Sequence, residues 1–130
     1  MIIDDSYTNR VLLKAVFDDL DINVTEVSSG LKALKLLNET NPDIILLDMC
    51  MPQMNGIDFL YELKERKNLI PVIVISVLDD QTYMKLALQN GANEYLIKPL
   101  EINKLLTTIA RFTEYEYISN NHTLNSKSTL

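Results

Sequence analysis

Five polar residues in this chain each stand directly behind a short apolar run. Asp4 and Asp5 follow M-I-I, Asp48 follows I-I-L-L, Ser76 follows V-I-V-I, and Lys98 follows Y-L-I. Three carboxylates gathered in one place cannot all stay ionised cheaply, so either a pKa rises or a cation neutralises them. Magnesium suits such a set, because it takes oxygen from one or two carboxylates and keeps several waters. With that ion and Lys98 neutralising its oxygens, a phosphoryl group could be drawn to Asp48 as a nucleophile. The Ser76 hydroxyl could then hydrogen-bond one of those oxygens.

These side chains meet only if the runs before them lie side by side with their carboxyl ends together. Apolar runs occur at Met1 to Ile3, Ile22 to Val27, Asp43 to Leu47, Pro71 to Ile75 and Glu94 to Ile97. Between them, helical spacing predicts helices at Thr8 to Leu20, Leu31 to Glu39, Ile57 to Lys67, Gln81 to Asn90 and Ile102 to Tyr117. Ser28 or Ser29 stands where the second helix needs a cap, Asp79 or Asp80 where the fourth does, and Gly91 where the fourth should stop. Strict strand–helix alternation implies a parallel sheet with helices on both faces. The runs I-I-L-L and V-I-V-I lack polar alternation, as central strands covered on both sides do. Ligands bind such sheets at the carboxyl ends of the strands, beside the switch point in strand order. That rule brings Asp4, Asp5, Asp48, Ser76 and Lys98 to one edge.

Composition narrows the function classes. The 130 residues suit one domain, and 47% hydrophobic with 23% charged residues is a globular balance. A net charge of -6 would repel a phosphate backbone, so direct nucleic-acid binding is not expected. The run Leu69 to Leu78 is about half the length a bilayer requires and contains Pro71 and Ser76, so no membrane span is expected. A single cysteine, Cys50, and no basic-then-apolar leader predict a reducing, cytoplasmic setting.

The sequence resembles a response regulator receiver domain of two-component signalling from Met1 to about Tyr117. The resemblance is carried by I-I-D-D, by P-D-I-I-L-L-D-M-C-M-P-Q-M-N-G, by V-I-V-I-S and by G-A-N-E-Y-L-I-K-P, in that order. It implies a flavodoxin-like doubly wound sheet of five parallel strands, order 2-1-3-4-5, with five helices. It also implies Asp48 as phospho-acceptor, magnesium held by Asp4, Asp5, Asp48 and the backbone carbonyl of Cys50, and phosphoryl contacts from Ser76 and Lys98. Tyr95 would be the aromatic switch, acting with Ser76, and Lys98-Pro99 a cis peptide. The implied partners are a histidine kinase or histidine phosphotransfer protein as donor and an output domain or protein as reader. Homodimerisation through the fourth helix, fifth strand and fifth helix is a further expectation. Receivers often carry polar side chains where Cys50 and Leu78 stand here, so slow self-dephosphorylation is expected, with the branched Val77 narrowing the approach.

Plainer readings compete at several positions. Asp4 and Asp5 could cap the first helix, Ser76 could merely end a strand, and Tyr95 could be ordinary packing. The cluster Met49, Met51 and Met54 reads as gap-filling side chains. The receiver is expected to occupy residues 1–118, with 119–130 a polar tail or linker too poor in apolar residues to pack; His122, inside it, is expected to be neither ligand nor donor. A flavodoxin-type electron carrier would need a glycine- and hydroxyl-rich loop after the first strand, and the chain has three glycines in all. An aspartate-based phosphatase would, by family pattern, carry a second acid where Cys50 stands. A receiver reduced to a docking module would not need the full acid, serine and lysine set.

Overall fold

The structure of the chain is a computed structural model that describes residues 1–118 and 123–126. Five parallel strands, β1 (Ile2–Ile3), β2 (Glu26–Val27), β3 (Ile45–Asp48), β4 (Val72–Ser76) and β5 (Glu94–Ile97), form one sheet in the order β2-β1-β3-β4-β5. Helices α1 (Tyr7–Ala15), α2 (Gly30–Thr40), α3 (Gly56–Glu65), α4 (Gln81–Gln89) and α5 (Ile102–Phe112) fill the crossovers. This is the flavodoxin-like order expected from the sequence.

Alternate residues of the central strands enter opposite layers, because successive side chains of a strand point to opposite faces. Ile45, Leu47, Val72 and Val74 pack with Phe59, Leu60 and Leu63 of α3 and Leu34 and Leu37 of α2. Leu46, Ile73, Ile75 and Leu96 pack instead with Phe17 and with Leu105, Leu106 and Ile109 of α5. Leu47 and Ile73 are 0% exposed, and burying each such side chain contributes about 2 kcal/mol. The central strands β3 and β4 are therefore clamped along their length, and polar residues begin only at their carboxyl ends, Asp48 and Ser76. Side-chain caps start the helices there: Ser6 for α1, Ser29 for α2, Asn55 in a capping box with Asp58 for α3, and Asp80 for α4.

Three boundaries differ from the sequence expectation by four or five residues, the others by no more than two. Helix α1 ends at Ala15 rather than Leu20, and the chain continues in tighter turns in which Val16, Phe17 and Asp18 donate to the carbonyls of Leu13, Lys14 and Ala15. The acids of D-D-L-D compete for backbone hydrogen bonds and favour such turns over a helix. Strand β2 is only Glu26–Val27. Helix α5 stops at Phe112, five residues before Tyr117, because Thr113 turns extended and its hydroxyl donates to the Ile109 carbonyl while accepting from the Tyr115 amide.

Beyond it, β6 (Tyr115–Ile118) pairs antiparallel with β7 (Thr123–Ser126) in a hairpin. Leu124, 3% exposed, packs in the layer of Phe17 and α5. The segment 123–126, expected not to pack, is thus part of the folded body. His122 lies outside the described residues.

Candidate functional site

The carboxyl edge of the sheet gathers the polar residues that follow the strands. Asp4 stays in line with β1, since its amide donates to the Val27 carbonyl at 3.1 Å. Its side chain is buried, with Oδ1 accepting from the Ser6 amide at 2.9 Å and Oδ2 lying 3.8 Å from Lys98 Nζ. The α1 cap is Ser6, whose hydroxyl accepts from the Asn9 amide at 3.2 Å. Neither Asp4 nor Asp5 takes that position. Asp5 is exposed.

Asp48 closes β3 and is half-buried, with Oδ1 accepting from the Cys50 amide at 3.3 Å. Carboxylate oxygens of Asp4, Asp5 and Asp48 all lie within 4.8 Å of one another. The Asp48 carboxyl is pushed up to about 6, chiefly by burial and then by the charge of Asp4, with Asp5 adding to the rise; the Cys50 amide and Lys98 pull the other way. Burial and the Asp48 charge also raise the exposed Cys50 thiol, so it stands there as a neutral, weakly bonding group.

The opposite side of the edge is built from β4 and β5. Ser76, completely buried, directly follows Ile75, which pairs in register with Asp48. Its hydroxyl accepts from the Leu78 amide at 3.0 Å. Tyr95 is buried, and its hydroxyl donates to the Leu78 carbonyl at 2.8 Å. Burial raises the Tyr95 phenol, against a hydrogen bond with Ser76. The Lys98 amide donates to the Ser76 carbonyl at 2.8 Å, and the Lys98-Pro99 peptide is cis. Val77 is 66% exposed, so it does not wall off the edge. Leu78 is half-buried and packs against the core layer of α2 and α3.

Two residues that sequence reasoning did not single out support this edge. Gly56, the first residue of α3, presses on the segment after β3: a Cβ there would lie 2.7 Å from Met49 Sδ and 3.1 Å from the Asp48 carbonyl oxygen. Arg10 of α1 donates through Nη1 to the Asp4 carbonyl at 2.8 Å and through Nε to Glu26 at 3.1 Å. The glycine was visible in M-N-G, but its neighbour in space was not. The arginine's two acceptors are separated in sequence and meet only in the fold.

The family model for the response regulator receiver domain matches residues 1–110. The chain belongs to the receiver family. This receiver is 30% identical over 112 residues to the chemotaxis protein CheY of Listeria monocytogenes, covering 85% of this chain and 94% of CheY. It is 34% identical over 100 residues to the response regulator DctR of Bacillus subtilis, covering 76% of this chain but only 44% of DctR. Among solved structures it is similar to the receiver domain of the Francisella response regulator 1452, with TM-score 0.79, 32% identity and coverage of 85% and 92%. It is similar as well to the receiver domain of a Pseudomonas aeruginosa sensor histidine kinase, solved with magnesium coordinated in its active-site cleft, with TM-score 0.77, 26% identity and coverage of 85% and 93%. Receivers are phosphorylation-switch domains of two-component systems that interact with histidine kinases and output domains. The family binds Mg2+ at an acidic pocket, and the three aspartates here form a cluster able to hold a metal ion. Among the described residues, no helix is long and apolar enough to cross a membrane.

Proposed function

We propose that this receiver is a phosphorylation switch whose acceptor is Asp48. A partner histidine kinase or histidine phosphotransfer protein presents a phosphohistidine; an Asp48 carboxylate oxygen attacks phosphorus, the N–P bond breaks, and the imidazole leaves with that electron pair. The observation that carries this reading is the packing of the Asp4, Asp5 and Asp48 carboxylates within 4.8 Å of one another, with Lys98 Nζ 3.8 Å from Asp4.

The donor set fits magnesium on chemical grounds. All three side chains offer hard oxygen, and the Asp48 carboxyl, raised first by burial and then by the charge of Asp4, stands among negative charges that a divalent cation would offset. Asp4, Asp5, Asp48 and the carbonyl oxygen of Cys50 would hold the ion, which when bound neutralises charge on phosphoryl oxygens. Lys98, now shared with Asp4, supplies a second positive charge to the group on Asp48. Ser76 donates its hydroxyl to a phosphoryl oxygen, and that new contact biases Leu78 and Tyr95 towards a second arrangement.

The readout surface is α4, β5 and α5, where Tyr83, Leu86 and Leu88 of α4 are exposed. It serves an output domain or protein, or a second copy of the chain, in the cytoplasm, without direct contact to nucleic acid or membrane. The reading is tested by intact mass after incubation with acetyl phosphate and magnesium. The wild type should gain about 80 Da, one phosphoryl group, and Asp48→Asn should gain nothing. A gain in the variant removes Asp48 as acceptor.

A further inference from the structure

The acid pair sits on a turn that packing alone holds poorly. Strand β1 is two residues long, and α1 has no buried residue. A cavity of about 300 Å³ lies between α1, the sheet and α5, lined by Leu13 and Val16 on one side and Leu46, Ile75 and Leu105 on the other. The bond from the Ser6 amide to Asp4 Oδ1 spans two residues and travels with the turn, so it cannot fix the turn relative to the sheet.

Asp4 is tied to the sheet by its amide bond to the Val27 carbonyl and by its ion pair with Lys98; Arg10 adds a tie at the peptide between the two acids. Its Nη1 donates to the Asp4 carbonyl, the oxygen of the peptide that leads into Asp5, at 2.8 Å. Fixing that oxygen fixes the peptide plane and so the position of the Asp5 Cα from which the side chain departs. Its Nε donates to Glu26 Oε1 on β2 at 3.1 Å, and the second oxygen of Glu26 lies 3.6 Å from Lys14. The Arg10 side chain is only 13% exposed, and its guanidinium stands 5.7 Å from the Tyr7 ring centroid. Charge-assisted bonds of this kind are stronger and more directional than neutral ones.

We infer that Arg10, braced by Glu26, is a positioning residue for the cation site, setting the register at which Asp4 and Asp5 can share an ion with Asp48; this rests on the magnesium reading above. A guanidinium acting only as a nearby charge would repel a cation, so its removal would tighten magnesium binding. A positioning residue has the opposite signature. Removing side chains that orient metal ligands weakens metal affinity by roughly 10- to 100-fold.

The experiment is calorimetric titration of magnesium into wild type, Arg10→Ala, Arg10→Lys, Glu26→Gln and Asp5→Ala, without any phosphodonor. Both Arg10 variants should lose affinity by about tenfold or more, because lysine keeps the charge but lacks the rigid planar fork whose separated donors reach both acceptors at once. Glu26→Gln keeps an acceptor for Nε and should bind close to wild type. In metal-free protein, amide exchange at Asp5 and Ser6 should quicken in Arg10→Lys, a readout independent of the ion. Unchanged or tighter binding in Arg10→Ala, or near-wild-type binding in Arg10→Lys, overturns the positioning role. A wild type that takes up no magnesium, or an Asp5→Ala that takes it up equally, overturns the metal reading itself.

Discussion

Tyr95 and Leu78 are joined across the ends of β4 and β5: the phenol hydroxyl donates to the Leu78 carbonyl at 2.8 Å. The Leu78 amide in turn donates to Ser76 Oγ at 3.0 Å. Leu78 thus links the Ser76 hydroxyl to the Tyr95 phenol through its own peptide groups. In Tyr95→Phe the Leu78 carbonyl loses its partner, and stability by urea denaturation should fall by about 1 kcal/mol. Loss of less than a few tenths would mean the hydroxyl matters little to the resting state.

The Asp48 carboxyl should add stability to the metal-free protein as pH falls from neutrality, while the buried amino group of Met1, lowered from 8.0 to about 6 by desolvation, acts in the opposite sense. The Asp48 carboxyl is raised from 3.8 to about 6 in the folded state, so between those values the native chain binds more protons than the unfolded one. Its contribution to stability is complete below the unfolded value and lost as pH rises through the folded one. Magnesium should reverse the trend, because it binds the ionised carboxylates. Melting curves at about pH 5 and pH 7.5, with and without magnesium, give the comparison. Metal-free wild type should gain stability relative to Asp48→Asn as pH falls across that window, because the Met1 contribution is common to both; a constant difference assigns the titration to another group.

Self-dephosphorylation should be slow. Hydrolysis needs a water held in line with the leaving carboxylate, and a polar side chain near the site helps to hold it. At Cys50 the thiol is kept protonated by burial and the Asp48 charge, and Leu78 turns its side chain into the core layer. Neither orients water well. Cys50→Asn combined with Leu78→Glu should speed loss of phosphate from the purified protein. A wild-type lifetime of seconds, or no change in the double variant, would show that the rate is set elsewhere.

The hairpin should contribute to stability rather than trail from the domain. Leu124→Ala removes a side chain that is 3% exposed and packed in the layer of Phe17 and α5. The expected cost is about 2 to 5 kcal/mol, as for other buried leucines. Denaturation of the full chain measures it, and a loss below about 0.5 kcal/mol, the range of ordinary surface substitutions, would detach β7 from the core.

Much of the sheet was legible because its physics is local. Runs such as V-I-V-I lack polar alternation, as interior strands do, and the polar residue ending each of the central runs marks the working edge. The caps Ser29 and Asp80 were each one of two adjacent residues in the sequence, and only the backbone geometry separates them. What could not be read depends on partners distant in sequence. Y-E-Y-I continued a helical pattern until Thr113 turned the chain, and Thr123–Ser126 contains one leucine whose burial depends on Phe17 more than a hundred positions earlier. Arg10 showed no periodic signal either, since Glu26 becomes its neighbour only when β2 lies beside β1.

The contact at Gly56 makes the site mechanically lopsided. With no room for even a methyl group between α3 and the Met49 and Asp48 backbone, and with Phe59, Leu60 and Leu63 seated in the core, that wall can yield only if the whole layer moves. Across the edge, α4 buries Ala87 alone. Stress introduced at Asp48 would meet a stiff anvil at α3, and we expect displacement to concentrate in the helices with few buried contacts, α4 and α1. Substituting Gly56 would thus alter more than the fit of one turn, because it would soften the surface against which the rest of the domain is pushed.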